Sequence, residues 1–168
     1  MKIVSFYCDI DGTTTYSDNA KKLILQCETL GIEHHIIEQK FGKDWIDNVR
    51  AKPLFLLKAL EYLREPFIWL DCDSMVLKPI DFEVKSDWGV YMRENGTPHD
   101  FVHYVSNSRR TKKFIKLWIK TVEQKREGSH TAFISIFHKI NSEVLPDGYF
   151  QLGLAETKSK KEYFDSKV

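Results

Sequence analysis

The sequence has no long apolar run and few cysteines. Its apolar runs are only a few residues long, as at residues 54–57, whereas a helix needs roughly 20 apolar residues to cross a bilayer. The apolar stretch at residues 3–8 is too short for a signal peptide. Cys8, Cys27 and Cys72 are odd in number and widely spaced, so they predict neither a disulfide framework nor a zinc motif.

The sequence also lacks an excess of charge of either sign. Lysine and arginine number 25, aspartate and glutamate 24, and the formal net charge is +1. Such a balance creates no long-range field that would hold DNA or an acidic membrane surface. We therefore expect no nucleic-acid partner. Together with the short apolar runs and the lack of a signal-peptide pattern, this balance leads us to expect no transmembrane segment and a cytoplasmic location.

What is present is enough apolar material for a core. Of the 168 residues, 42% are hydrophobic and 13% aromatic, which excludes a disordered or fibrous chain. The length falls within the roughly 100–200 residues of one domain. We expect a single domain over residues 1–155, followed by a flexible tail over residues 156–168, which are rich in lysine and glutamate.

The first 70 residues alternate between strand and helix patterns. Residues 2–7, 32–38 and 67–70 predict strands, and the last of these is a continuous apolar run typical of a strand buried on both faces. A helix capped by Ser17 or Asp18 precedes the second strand, and another with Pro53 in its first turn precedes the third. This order predicts an α/β fold with a Rossmann-like, mixed but mainly parallel sheet and helices on both faces.

Beyond residue 80 the pattern is less regular. Residues 88–92 and 101–105 predict strands joined by a turn at Asn95-Gly96, and residues 109–124 and 129–140 predict helices.

Two carboxylates follow the third strand. Ligands of such sheets bind beyond the carboxyl ends of the strands, where Asp71 and Asp73 lie. In an extended chain both side chains point to the same side, and two like charges there favour a divalent cation. Oxygen ligands prefer Mg²⁺ or Mn²⁺, which commonly keep positions open for phosphate oxygens. The pattern predicts metal-assisted handling of a diphosphate.

Residues 67–79, FIWLDCDSMVLKP, resemble the DxD segment of glycosyltransferases with the GT-A fold, which use nucleotide-sugar donors. Residues 16–20, with Cys27 and residues 30–32 after them, are similar to the first helix of bacterial and viral members. Trp45 and residues 51–57 resemble the segment that leads into the DxD strand. The resemblance is good across about residues 3–92 and loose to about residue 150.

The resemblance implies a metal-dependent transferase that moves a sugar from a nucleotide-diphosphate donor, with UDP-sugar expected, to a glycan or other acceptor. It assigns Asp73 to direct binding of Mn²⁺ or Mg²⁺, and Asp71 to the ribose or the metal. It places the end of the first strand over the nucleobase, with Tyr16 as a stacking ring, and Lys52 and Arg50 near the donor phosphates. The implied donor-binding set is Tyr7, Cys8, Asp9, Tyr16, Arg50, Lys52, Asp71 and Cys72.

The catalytic group is not assigned by the resemblance. Many members carry an acidic residue at the start of a late helix, where this chain has Gly128-Ser129-His130 and no carboxylate to serve as a base. His130 is the candidate catalytic residue there, as a metal or acceptor contact. Glu94, Asp100 and Asp147 are unranked candidates for a base, and whether the transferred sugar keeps or inverts its configuration stays open.

Two other functions compete with sugar transfer. Asp9 and Asp11, after an apolar strand, match the opening motif of haloacid-dehalogenase phosphatases, in which one aspartate is the nucleophile and the other an acid or base. The later residues that such a phosphatase needs are not evident. The second alternative is a non-catalytic domain that binds a nucleotide-sugar without transferring it.

Overall fold

A computed structural model describes residues 1–9, 13–40, 45–125 and 128–152. Its elements are β1 (Lys2–Tyr7), α1 (Thr15–Thr29), β2 (His34–Glu38), α2 (Trp45–Arg50), α3 (Lys52–Leu63), β3 (Phe67–Leu70), β4 (Ser74–Val76), β5 (Trp88–Met92), β6 (Pro98–Val105), α4 (Arg109–Lys125), α5 (Ser129–Ile136), β7 (Ser142–Val144) and β8 (Phe150–Leu152).

Six strands form the main sheet, in the order β2-β1-β3-β6-β5-β7. β1 pairs in parallel with β2 and β3, β5 pairs in parallel with β7, and β6 lies antiparallel between β3 and β5. β6 therefore runs against the other five strands. β4 and β8 form a separate antiparallel pair. This arrangement confirms the predicted α/β class with a mixed, mainly parallel sheet.

The two faces of the sheet bury different helices because side chains alternate along each strand. Val4 and Trp69 face a core to which Phe55 of α3, Trp118 of α4 and Phe133 of α5 contribute. On the opposite face, strand residues pack against α1, β4 and β8 in a second hydrophobic core. Its members include Ile3, Ile68, Val102, Leu23, Cys27, Val76 and Phe150. Helices therefore cover both faces, as predicted.

The start of α1 shows how a distant residue sets a helix boundary. The N-cap residue, Thr14, makes no side-chain capping bond. Instead Oδ1 of Asp9 accepts hydrogen bonds from the backbone N–H groups of Tyr16, at 2.9 Å, and Ser17, at 3.0 Å. The prediction that Ser17 or Asp18 caps the helix is wrong, because Asp9 satisfies these amides and the helix begins earlier, at Thr15.

Several element boundaries differ from the sequence-based prediction. The strand predicted over residues 101–105 is β6, which begins earlier, at Pro98. α2 and the three-residue strands β4, β7 and β8 were not predicted, and β2 begins at His34. The helix expected over residues 129–140 ends at Ile136 and continues as a 3₁₀ turn, Phe137–Lys139. The tail predicted over residues 156–168 lies outside the described residues, so the domain boundary stays a prediction. No helix in the described ranges is long and apolar enough to span a membrane.

Candidate functional site

A cleft of about 290 Å³ opens at the edge of the sheet where β1 and β3 end and β6 begins. It gathers predicted site residues that lie far apart in the sequence: Tyr7, Cys8, Tyr16, Lys52, Asp71, Cys72, Asp73 and His130. Two predicted residues, Asp9 and Arg50, are not among the residues that line it. Asp9 caps α1, and Arg50 lies in a separate groove with Leu54 and Ile119.

The two aspartates lie on a turn rather than on an extended strand. β3 ends at Leu70, and the N–H of Ser74 donates to the backbone carbonyl of Asp71 at 2.9 Å, which closes a four-residue turn. The prediction that strand alternation points Asp71 and Asp73 the same way is therefore wrong. The turn itself brings both residues to the cleft, where they are partly buried.

A buried lysine bridges two carboxylates in the cleft. Nζ of Lys52, at the start of α3, lies 2.8 Å from Oδ1 of Asp71 and 3.1 Å from Oδ2 of Asp100. It also donates to the Asp100 backbone carbonyl at 2.7 Å, so three oxygens surround the ammonium group. The Lys52 residue is only 7% exposed, and Nζ lies 5.5 Å from the centre of the Trp69 ring. The indole N–H of Trp69 donates to the same Asp71 oxygen at 2.9 Å.

The three charges shift one another's pKa values. Burial alone would lower the pKa of Lys52, but the negative charges of Asp100 and Asp71 raise it well above its ordinary value. Burial raises the pKa of Asp71 to about 6, and the charges of Asp73 and Asp100 add to this against the opposing effect of Lys52. Burial would also raise the pKa of Asp100, but the Lys52 charge and the His103 hydrogen bond bring it down to about 2.

His103 orients Asp100 from the protein interior. The fully buried His103 ring lies 2.8 Å, through Nε2, from Oδ1 of Asp100, and its Nδ1 accepts from the indole N–H of Trp88 at 3.2 Å. Because an indole nitrogen is only a donor, Nδ1 carries no proton and Nε2–H donates to Asp100. Burial also lowers the pKa of His103, although Asp100 opposes this, so the ring is neutral and holds Asp100 by a directional bond.

His130, the second residue of α5, faces the other oxygen of Asp100. Its Nδ1 lies 3.8 Å from Oδ2 of Asp100 and is buried without a hydrogen-bond partner among the described residues. The His130 side chain as a whole is 33% exposed to solvent. Burial lowers the pKa of His130, and Arg93 and Lys52 lower it further, while Asp100 raises it.

The acidic pair has the donor chemistry that a hard cation requires. The described contacts of the Asp71 carboxylate are to Oδ1, which leaves Oδ2 for another ligand. Asp73 adds a second carboxylate on the same turn. Within the described ranges no three His, Cys, Asp or Glu side chains converge into a metal site. Mg²⁺ or Mn²⁺ held here would therefore need further oxygens from water or a ligand, which is how these ions commonly bind beside phosphates.

Sequence reasoning missed three polar residues of the cleft and left a fourth unranked. Asn48, Arg93 and His99 line the cleft without having been predicted, and Asn48 could not be found because α2 was not predicted. Among the three candidate bases, Asp100 lines the cleft, whereas Glu94 and Asp147 are not among its lining residues. No local signal distinguished Asp100, because its partners come from other elements.

The fold has a counterpart among solved structures. The sequence matches no family profile, and no curated protein is significantly similar to it. The structure nevertheless matches a crystal structure of a glycosyltransferase involved in the glycosylation of the major capsid of PBCV-1. The TM-score is 0.69, and the match covers 100% of each chain at 15% sequence identity. The chain has the fold of a glycosyltransferase. At this identity the likeness extends to the fold alone.

Proposed function

We propose that the protein is a metal-dependent glycosyltransferase of the GT-A type. It would take a sugar from a nucleotide-diphosphate donor, with UDP-sugar expected, and pass it to a glycan or other acceptor. One observation carries the proposal: the Asp71–Asp73 turn at the carboxyl end of β3 shares a cleft with the aromatic end of β1, in a fold found in a glycosyltransferase.

The nucleoside end of the donor would bind where β1 meets α1. Tyr7 ends β1 and Tyr16 lies in the first turn of α1, and both line the cleft beside Cys8. An aromatic ring is a suitable surface for a nucleobase to stack on. Asp9 would serve this site indirectly, because its bonds to the amides of α1 hold Tyr16 near the end of β1.

The diphosphate would bind at the Asp71–Asp73 turn. Asp73 and the second oxygen of Asp71 would hold Mn²⁺ or Mg²⁺, with Cys72 between them in the cleft wall. When bound, the metal supplies Lewis-acid stabilisation of the charge on the departing nucleoside diphosphate. Lys52 would act by orienting both carboxylates, since its ammonium group is already surrounded by three oxygens. Arg93 lines the cleft and is better placed than Arg50 to contact the donor.

Thermal stability with a panel of ligands tests this proposal. Ligand that binds the native state raises its free energy of unfolding by about 2.7 kcal/mol at 100 times the Kd. We expect UDP or a UDP-sugar to raise the Tm when Mn²⁺ is present and not when EDTA replaces it. Asp73→Ala should remove this shift while the unliganded Tm changes little, and the exposed Asp147→Ala serves as the matched control. Undiminished nucleotide affinity of Asp73→Ala in a calorimetric titration would overturn the assignment.

Two assays distinguish sugar transfer from the two alternative functions. A phosphatase nucleophile at Asp9 has less support, because the Asp9 carboxylate caps α1 and is not among the cleft residues; Asp11 lies outside the described residues. Turnover of a generic phosphate ester that is lost in Asp9→Asn and kept in Asp73→Asn would favour the phosphatase. Radiolabelled sugar appearing in a glycan product would exclude a domain that only binds the donor.

A further inference from the structure

We infer that His130 is the general base of this cleft and that Asp100 positions it. The inference rests on the proposed function and deepens it, because it names the group that activates the acceptor hydroxyl. It stands on the contacts of three side chains: the buried His103 and the cleft residue His130 approach different carboxylate oxygens of Asp100.

The orientation of the His130 ring suits a base. Its Nδ1 is buried and faces Oδ2 of Asp100 at 3.8 Å, with no hydrogen bond made among the described residues. The exposed part of the side chain therefore consists of its other atoms, and Nε2 is the ring nitrogen that can face the cleft. A closure of less than about 1 Å would let Nδ1–H donate to Asp100, and such bonds commonly tighten when substrate binds. With its proton on Nδ1, the imidazole presents a lone pair on Nε2.

Asp100 itself is a poor base. Its carboxylate is held by Lys52 through Oδ2 and by His103 through Oδ1. These partners stabilise the ionised form, so Asp100 has little tendency to take a proton at neutral pH. A fixed carboxylate of this kind is suited to holding an imidazole in one tautomer.

The surroundings keep His130 neutral near pH 7. The titratable and charged groups that face it come from three parts of the fold: Asp100, His99 and His103 on β6, Arg93 after β5, and Lys52 on α3. Burial lowers the pKa of both β6 histidines, so the charged neighbours are two cations and one anion. Burial and the two cations lower the pKa of His130 below 6.5, and Asp100 opposes them.

The proposed step balances as a single displacement. The proton of the acceptor hydroxyl moves to Nε2 of His130 while the acceptor oxygen bonds to the anomeric carbon. The bond between that carbon and the diphosphate oxygen breaks, and its electron pair leaves with the nucleoside diphosphate. His130 then releases the proton to solvent. A base acting in a single displacement implies an inverted anomeric configuration in the product.

Water can replace the unknown acceptor in the test. UDP release from UDP-glucose and UDP-galactose with Mn²⁺ is measured from pH 5 to 8 for the wild type, His130→Gln and Asp100→Asn. We expect His130→Gln to lose about 100-fold or more in rate, together with the acidic limb of the pH profile. Asp100→Asn should move the midpoint of that limb to lower pH, because the charge that raises the His130 pKa is gone. A merely structural role of Asp100 would lower the rate without moving the midpoint.

Controls distinguish failure of this inference from failure of the proposed function. His138→Gln changes an exposed histidine of the neighbouring 3₁₀ turn and should leave the rate and the pH profile unchanged. If His130→Gln keeps the wild-type rate and limb while binding UDP with Mn²⁺, the base assignment is wrong and the proposed function stands. If neither UDP nor these UDP-sugars raise the Tm of the wild type with Mn²⁺, the proposed function itself fails.

Discussion

The ammonium group of Lys52 lies 2.8 Å from the carboxylate of Asp71, although the two residues belong to different elements of the fold. Lys52 begins α3, and Asp71 follows β3, the strand to which α3 leads. In the sequence, Lys52 has no feature that distinguishes it from other lysines at the start of a helix. In the structure, its ammonium group bridges the carboxylates of Asp71 and Asp100 in the cleft.

Replacing this lysine should cost considerable stability. Lys52→Met would leave Asp71 and Asp100 near each other without their shared cation, and breaking a buried pair in this way costs about 3–5 kcal/mol. Urea denaturation at pH 7 measures the loss. The loss should shrink toward pH 5, because Asp71, whose pKa is already about 6, takes up a proton there.

The matched control for that variant is Lys58→Met. Lys58 lies on the same helix with its side chain exposed, so the change should stay within about 0.5 kcal/mol. Equal stability of the two variants would contradict the role given to Lys52.

The low pKa of Asp100 predicts a specific acid sensitivity. Its pKa is about 2 in the folded protein against an ordinary 3.8, so the ionised form stabilises the fold by about 2 kcal/mol above pH 4. This contribution is lost as the pH falls from about 4 to 2, because the unfolded chain then binds the proton more tightly. The free energy of unfolding, measured at several pH values in this window, should therefore fall less steeply for Asp100→Asn than for the wild type.

Asp147→Asn provides the comparison for the acid experiment, since Asp147 is exposed on the loop before β8. The free energy of unfolding of the Asp147→Asn protein should fall between pH 4 and 2 as steeply as that of the wild type. An unchanged slope in Asp100→Asn would mean that the buried contacts of Asp100 do not stabilise its charge.

Asp9 should behave as a helix cap that acts from outside the helix. Asp9→Ala removes the acceptor of the Tyr16 and Ser17 amides and should cost about 1 kcal/mol. Asp9→Asn keeps a side-chain oxygen and should cost less. Thermal unfolding gives the stabilities, and faster hydrogen exchange of those two amides in Asp9→Ala would locate the effect. Equal damage by both substitutions would contradict the capping role.

Gly89, in the middle of β5, is required by close packing. A Cβ added there would lie 2.5 Å from Cδ2 of Leu145 and 2.9 Å from Cβ of Tyr104 on the adjacent strand. The Tyr104 atom is fixed by the sheet, so Gly89→Ala should lower the free energy of unfolding by about 1–3 kcal/mol. Gly128→Ala, where a Cβ meets nothing within 4 Å, should cost much less. Equal melting temperatures of the Gly89→Ala and Gly128→Ala proteins would refute this account.

Elements with strong local sequence patterns were predicted from the sequence, and elements without such patterns were not. β1, β3 and β5 have the predicted bounds, because their apolar and β-branched residues favour a strand wherever the chain places them. α2 and the three-residue strands gave no such signal. β4 forms by pairing with β8, about 75 residues further along the chain, and a window of neighbouring residues cannot reveal such a partner.

The sequence by itself determined the α/β class and the acidic turn after an apolar strand, because both depend on residues that are close together in the chain. Tertiary structure alone decided what surrounds that turn. The Lys52–Asp100 contact joins residues 48 positions apart, and His103 and His130 reach Asp100 from β6 and α5. Burial and charge at these contacts set the pKa values on which the chemistry depends, and both exist only after the sheet and helices have packed.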